Sequence, residues 1–298
     1  MSSQRVSRKS LRVASALTLL TAGLTALIAQ PASAAVPEAR VVLGYTGEFF
    51  YDAAPGQTNK LTVTTSGTNG WRYTYVIDDV VPVDIAMSDG HCTRPDSADL
   101  TRVSCTNIFE RGGDGLSMDL GDGNDTITAN NTTGQTNYQV EIELGPGNDR
   151  AAEIGSVGGN YIQGGKGDDT VTAGSDSSVD AGDGNDTVHI GAQSWVRGQN
   201  GVDKLYADGV DSHADGGTGN DFVYGGAGHQ TLWGGDANDT VRGGTGDDTI
   251  YGGPGNDILY GNSGNDTIQG NSGNDKVYGG PGKDTLTGGP GRNVVRQD

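Results

Sequence analysis

An aspartate recurs at one fixed place in a nine-residue repeat near the C-terminal end of the chain. Nine units run from Gly216 to Arg296 without an extra residue between them: GGTGNDFVY, GGAGHQTLW, GGDANDTVR, GGTGDDTIY, GGPGNDILY, GNSGNDTIQ, GNSGNDKVY, GGPGKDTLT and GGPGRNVVR. Position six is usually Asp, and positions one, two and four are mostly Gly or Asn. Carboxylates and unshielded backbone carbonyls are the oxygen ligands that hard cations take. The repeat therefore predicts a series of cation sites.

The elements that position these aspartates follow from position eight, which is always Val, Leu or Ile. One apolar residue in nine predicts a strand of about three residues with its middle side chain inward, and the Gly-rich remainder predicts a tight turn. Such units bury their apolar residue only by stacking on one another, which predicts a parallel coil with a thin continuous core.

Upstream of Gly216, well-formed units start at Leu144, Gly164, Ala181 and Gly198, and the last three are each followed by the next unit after 17 or 18 residues. If two units make one coil, these units stack along one edge. Irregular stretches at 173–180, 190–197 and 207–215 then fill the other edge, where they keep an apolar residue near the expected place: Val179, Val196 and Ala214. A first unit at 120–128 starts the repeats.

This pattern resembles the RTX family of calcium-binding repeat proteins, over residues 120–296, and in particular the secreted RTX-repeat proteins of Gram-positive actinobacteria. The resemblance implies an all-β fold, a parallel β-roll in which multiple Ca²⁺ ions bind between stacked turns. The metal ligands it implies are the position-six aspartates and their upstream equivalents: Asp125, Asp149, Asp169, Asp186, Asp203, Asp221, Asp239, Asp248, Asp257, Asp266, Asp275 and Asp284.

Some units depart from the pattern at positions on which a site would depend. Gln230 and Asn293 replace the position-six Asp, Asn160 does so in a looser unit at 155–163, and Ala237 replaces a position-four Gly. We expect no complete site at these positions, and Asn293 suits a terminal cap. Because many weak sites together contribute as much free energy as a domain's stability, we also expect the repeats to fold on binding calcium.

Composition excludes several classes of protein. The 298 residues include 52 Gly, and of 38 acidic residues only six are Glu. The net charge of −19 argues against nucleic-acid binding, which needs a basic surface. Gly at this level without a three-residue period argues against collagen and helical bundles. Disorder shares this composition, and the nine-residue periodicity decides against it.

The N-terminal residues predict export. A basic stretch from Arg5 to Arg12, an apolar stretch to Ala29 and the small residues Ala32-Ser33-Ala34 are typical of a secretory signal peptide that is cleaved after Ala34. We therefore expect a secreted, extracellular protein that does not insert into a membrane. In that oxidising compartment Cys92 and Cys105 predict one disulfide. The expected organisation is a signal peptide at 1–34, a small β-rich cap segment at 35–115 and the β-roll at 116–296.

No catalytic site is expected, because the chain carries neither a G-x-S-x-G nor an H-E-x-x-H motif. A hydrolase with catalytic residues in 35–110 is the least favoured alternative. The main alternative is a calcium-dependent adhesion or carbohydrate-binding module that contacts a cell-surface glycan or protein through outward aromatics at position nine. The same aromatics could instead stabilise the sheet face by stacking. They are Tyr206, Tyr224, Trp233, Tyr251, Tyr260 and Tyr278.

Overall fold

The described part of the protein is all-β. The computed structural model describes residues 38–44, 47–68, 72–86, 90–108, 115–133, 140–155 and 159–297, so the predicted signal peptide and Trp71 lie outside it. These residues form two sheets of 13 and 14 strands and contain no helix. Consequently no described helix has the length and hydropathy needed to cross a bilayer.

Seven strands precede the repeats. They are β1 (Ala39–Leu43), β2 (Phe49–Asp52), β3 (Lys60–Thr68), β4 (Arg72–Asp78), β5 (Val83–Ala86), β6 (Cys92–Thr93) and β7 (Arg102–Ile108). The segment predicted to be β-rich thus forms strands, in which alternating apolar residues such as Val41, Val63 and Tyr75 face the core.

From residue 116 onward the strands alternate between the two sheets, so that two units make one coil. The 13-stranded sheet receives β8 (Leu116–Asp119), β10 (Val140–Pro146), β12 (Tyr161–Lys166), β14 (Ser178–Asp183), β16 (Trp195–Asn200), β18 (Ser212–Thr218), β20 (Gln230–Trp233), β22 (Thr249–Pro254), β24 (Thr267–Ser272) and β26 (Thr285–Thr287). The 14-stranded sheet receives β9 (Thr126–Asn131), β11 (Arg150–Gly155), β13 (Thr170–Ala173), β15 (Thr187–Ile190), β17 (Lys204–Ala207), β19 (Phe222–Gly225), β21 (Thr240–Thr245), β23 (Ile258–Ser263), β25 (Lys276–Tyr278) and β27 (Val294–Arg296).

The stacking is parallel and in register, which confirms the predicted β-roll. Leu205 of β17 pairs with Val223 of β19, Val241 with Leu259, and Leu259 with Val277. Position-eight side chains such as these are fully buried, and so are Val179, Val196 and Ala214 in the irregular units. The core is therefore a column one or two side chains wide between the sheets.

The strands are longer than the three residues that the apolar spacing predicts. In β22 the pairing runs on into the next turn, where Gly253 lies opposite Asn271 and Pro254 opposite Ser272. Asn262 and Asn271 stand at position two with φ near +69°, a backbone conformation that Gly and Asn adopt most readily. Backbone hydrogen bonding between identical turns therefore extends the ladder beyond the apolar residues.

The N-terminal strands extend both sheets at one end. Strands β2 and β3 pair in parallel with β8 and β9, and β1 and β4 continue the sheets by antiparallel pairing. Larger side chains pack here, with the rings of Phe49 and Tyr75 edge-to-face at 5.8 Å. The predicted disulfide between Cys92 and Cys105 is present and joins β6 to β7. The boundary at residue 115 stays a prediction.

The core column predicts unequal effects of truncation at position eight. Leu259→Ala should lower the free energy of unfolding by about 2–5 kcal/mol, because the side chain is fully buried between two coils. Val295→Ala is the matched control, since Val295 holds the same position in the last unit but is 43% exposed and should cost less than about 1 kcal/mol. Chemical denaturation of both variants checks the difference; equal effects would contradict a continuous core.

Candidate metal centre

The coil brings all twelve predicted aspartates into two columns. Each aspartate directly precedes a strand, so the turns that lead into the 14-stranded sheet form one edge of the roll and the turns that lead into the 13-stranded sheet form the other. We call these the first and second edges. The first edge carries Asp125, Asp149, Asp169, Asp186, Asp203, Asp221, Asp239, Asp257 and Asp275. The second edge carries Asp248, Asp266 and Asp284.

Oδ1 of each carboxylate accepts a hydrogen bond from a backbone N–H of the preceding coil. The backbone N–H of Asp203 donates to Oδ1 of Asp221 at 2.8 Å, and the N–H of Asp221 donates to Oδ1 of Asp239 at 2.8 Å. The same bond recurs along both edges, at 2.7 Å between Asp125 and Asp149 and at 3.0 Å between Asp257 and Asp275. Oδ1 is therefore part of the structural ladder between coils.

The other oxygen has no hydrogen-bond donor. Oδ2 is buried without a partner in eleven of the twelve aspartates, and these residues are at most 2% exposed. Asp284 in the last complete coil differs, because its Oδ2 accepts a hydrogen bond from Nε2 of Gln297 at 2.5 Å. A buried carboxylate oxygen without a donor is costly, so the column is built to be completed by a positive charge.

In nine of the twelve turns a glycine at position one makes room for that charge, whereas Leu120, Leu144 and Ala181 stand there in the other three. A Cβ on Gly252 would lie 2.4 Å from Oδ2 of Asp257 and 2.7 Å from the carbonyl oxygen of Gly270 in the next coil. A Cβ on Gly261 would meet Asp266 and Gly279 in the same way. The carboxylate oxygen and a carbonyl of the neighbouring coil thus converge on a space that any larger residue would fill.

Burial raises the pKa of the carboxyls in both columns. The pKa rises to about 7 for Asp169, Asp203 and Asp239 on the first edge and to about 7 for Asp248 on the second. Desolvation is the largest cause, and neighbouring carboxylates of the column add to it. Neighbouring charges one strand spacing apart repel by roughly 3 kcal/mol at an effective dielectric constant of 20.

The donor set fits calcium. Within the described ranges no three His, Cys, Asp or Glu side chains converge as a metal-binding group, so a cation in these columns would take most of its oxygens from backbone carbonyls. Calcium accepts six to eight carboxylate and carbonyl oxygens in irregular geometry, whereas magnesium demands a compact octahedron. The aspartate columns would hold Ca²⁺ between stacked turns, where the ion supplies the positive charge that Oδ2 lacks. That each of the twelve aspartates is a ligand stays a prediction.

The aromatic residues at position nine form stacks on the outer sheet faces. The rings of Tyr206 and Tyr224 lie 5.0 Å apart at 13°, and those of Tyr260 and Tyr278 lie 5.1 Å apart at 14°. Arg242 interrupts the row but places its guanidinium 4.9 Å from the Tyr260 ring centroid. Because the rings face one another, most of their faces are already occupied within the row, which favours the sheet-stabilising interpretation.

Two features of the site were not predicted from the sequence. Asn59 precedes β3 as Asp125 precedes β9, and its backbone N–H donates to Oδ1 of Asp125 at 2.6 Å, so it is the first member of the first-edge column. The only sequence signal is the triplet Asn59-Lys60-Leu61, which matches positions six to eight without the preceding glycine pattern. Exposed position-five side chains also form a ladder, in which Oδ1 of Asn238 accepts the backbone N–H of Asn256 at 2.9 Å.

Fold and site together define a class: a parallel β-roll whose Gly-rich turns stack buried carboxylates into columns. The family model of the RTX calcium-binding nonapeptide repeat (4 copies) matches residues 154–188, 197–232, 206–240, 233–268 and 260–295. The chain is therefore an RTX-type repeat protein. A comparison with curated protein sequences finds no match.

The raised pKa values predict how the metal-free fold responds to pH. Between pH 5 and 7 the folded carboxyls, with a pKa of about 6 for Asp186, Asp221 and Asp257 and about 7 for Asp239, retain protons that the unfolded chain has already lost. The metal-free fold should therefore lose stability as pH rises through this window, after exposed carboxyls have titrated. The β-sheet signal of circular dichroism in metal-depleted buffer, compared at pH 5 and pH 7, checks it; a stronger signal at pH 7 than at pH 5 would contradict it.

Proposed function

We propose that the protein is a secreted, non-enzymatic calcium-binding protein whose repeats fold when Ca²⁺ binds between stacked turns. The observation that carries the proposal is the run of eleven buried Oδ2 atoms without donors, eight of which lie beside the position-one glycine of their own turn. Without a cation, each successive coil adds a further unpaired carboxylate to a column that already repels itself.

The metal contributes enough free energy to govern folding. Extracellular calcium modules bind with dissociation constants of about 0.1–1 mM, and a free concentration ten times the constant contributes about 1.4 kcal/mol at each site. With roughly eight sites the total is comparable to the whole stability of a domain. The chain would then remain unfolded at low calcium and fold outside the cell.

Export rests on the N-terminal sequence, which lies outside the described residues. The basic, apolar and small-residue stretches of residues 1–34 support cleavage after Ala34. The disulfide between Cys92 and Cys105 agrees with an oxidising compartment. Sequencing the N-terminus of the exported protein should give Ala35 as the first residue.

The alternative, a calcium-dependent adhesion or carbohydrate-binding module, receives less support. Sugars bind to open ring faces, whereas Trp233 and Tyr251 stack on each other at 5.8 Å and 11°, as do the tyrosine pairs of the other sheet. A glycan or cell-surface binding screen with and without calcium separates the two functions.

Calcium should restore most of the β-structure that a chelator removes. We expect far-ultraviolet circular dichroism of the metal-free protein at pH 7.5 to show a largely unfolded repeat region and millimolar Ca²⁺ to induce the β-sheet signal. Magnesium at the same concentration is the control and should have little effect. A spectrum that chelator leaves unchanged would contradict folding on binding.

A pair of variants in one turn tests the ligand position. Asp239→Asn removes a buried column carboxylate, so it should lower the number of bound Ca²⁺ ions and raise the calcium concentration needed for folding. Asp236→Asn makes the same charge change three residues earlier, on an exposed side chain outside the column, and should leave both quantities close to wild type. Calcium titration with a count of bound ions checks both; equal losses in the two variants would argue against the column.

A further inference from the structure

Where the position-six residue is Asn, Ser or Gln, its side chain carries a hydrogen-bond donor that reaches an oxygen of its own or a neighbouring coil. The described members of this set are Asn59, Asn160, Ser177, Ser194, Ser212, Gln230 and Asn293. The buried aspartates of the columns instead leave Oδ2 without a donor. The two kinds of residue therefore differ in what completes the turn.

On the second edge, two of the serine donors lie within hydrogen-bonding distance of oxygens in two successive coils. The hydroxyl of Ser194 reaches the carbonyl oxygen of Ala192 in its own turn at 3.2 Å and that of Gly174 in the preceding coil at 2.9 Å. The hydroxyl of Ser177 reaches the Ser175 carbonyl at 3.3 Å and, in the preceding coil, Oε2 of Glu153 at 3.2 Å. An ion shared between stacked turns would bridge oxygens of the same two coils.

Gln230 shows the substitution within an otherwise complete turn. Gly225, Gly226 and Gly228 keep the glycine pattern of positions one, two and four. Its Nε2 donates to the carbonyl oxygens of Ala227 in its own turn at 3.0 Å and of Gly209 in the preceding coil at 3.1 Å. Its Oε1 is buried without a partner and lies near Gly225, as Oδ2 of Asp257 lies near Gly252.

We infer that these side-chain donors take the place of the cation, so that the second edge from Asn160 to Gln230 closes without metal while the aspartate columns require it. The inference rests on the proposed calcium binding of the columns. It divides the roll into a first edge that depends on metal along its length and a second edge that depends on metal only from Asp248 onward. Asn59 and Asn293 close the two ends of the first edge in the same way, through Leu120 and Gly289 carbonyls at 3.1 and 2.8 Å.

The test converts one donor into a ligand. Gln230→Asp in the full-length chain removes the amide and restores the repeat pattern beside the complete turn at Gly243–Asp248, so we expect at least one additional bound Ca²⁺ per chain and a steeper dependence of folding on Ca²⁺ concentration. Gln230→Asn is the matched control, because it has the size of Asp but keeps a donor; its ion count should equal that of wild type. Ions are counted by metal analysis after equilibrium dialysis against Ca²⁺.

The converse substitution keeps the inference testable if Gln230→Asp does not fold. Asp248→Gln introduces a donor into the second-edge column, so it should lose at least one ion and show a shallower dependence of folding on Ca²⁺ concentration than wild type. A folded Gln230→Asp with the wild-type ion count, or an Asp248→Gln that loses no ion, overturns the inference while leaving the proposed function intact. A wild-type chain that binds no calcium overturns the proposed function itself.

Discussion

The structure depends on one electrostatic constraint, the placement of carboxylate oxygens in a buried column at the spacing of β-strands. Backbone hydrogen bonding sets that spacing, and Oδ1 of each aspartate is committed to the N–H of the coil before it. Oδ2 is left without a donor, and in turns such as that of Asp257 it lies near Gly252 and the carbonyl oxygen of the next coil. Where position one is glycine, that glycine and the position-six aspartate therefore leave room beside Oδ2 for a cation.

The two edges meet this constraint in different ways. The first edge repeats the aspartate from Asp125 to Asp275 and ends in asparagine at both extremes, where a turn has a neighbour on only one side. On the second edge from Asn160 to Gln230, position six is serine, asparagine or glutamine. The hydrogens of these side chains, as in Ser194 and Gln230, bond to oxygens of the turns directly. A single roll thus combines turns closed by side-chain hydrogen bonds with turns whose buried carboxylates lack a donor.

Much of this arrangement could be predicted from the sequence because it is set by local spacing. Position eight identifies the buried residues, and the 17- and 18-residue offsets of Gly164, Ala181 and Gly198 place their units on one edge. The coil formed by β2 and β3 could not be predicted, since the segment before Asn59 lacks the glycine pattern and joins the roll only through pairing with β8 and β9. The role of Ser194 was equally inaccessible, because its partner Gly174 is 20 residues away and is brought near only by the coil.

The alternation of units between the two sheets constrains how such a chain can change length. Removing one nonapeptide would move every later unit to the opposite edge, so that aspartates such as Asp257 would continue the serine and glutamine series rather than their own column. Removing two consecutive units deletes a whole coil and leaves each remaining residue on its original edge. The chain can therefore change length without mixing its two edges only in steps of one coil, about 18 residues, rather than in steps of nine.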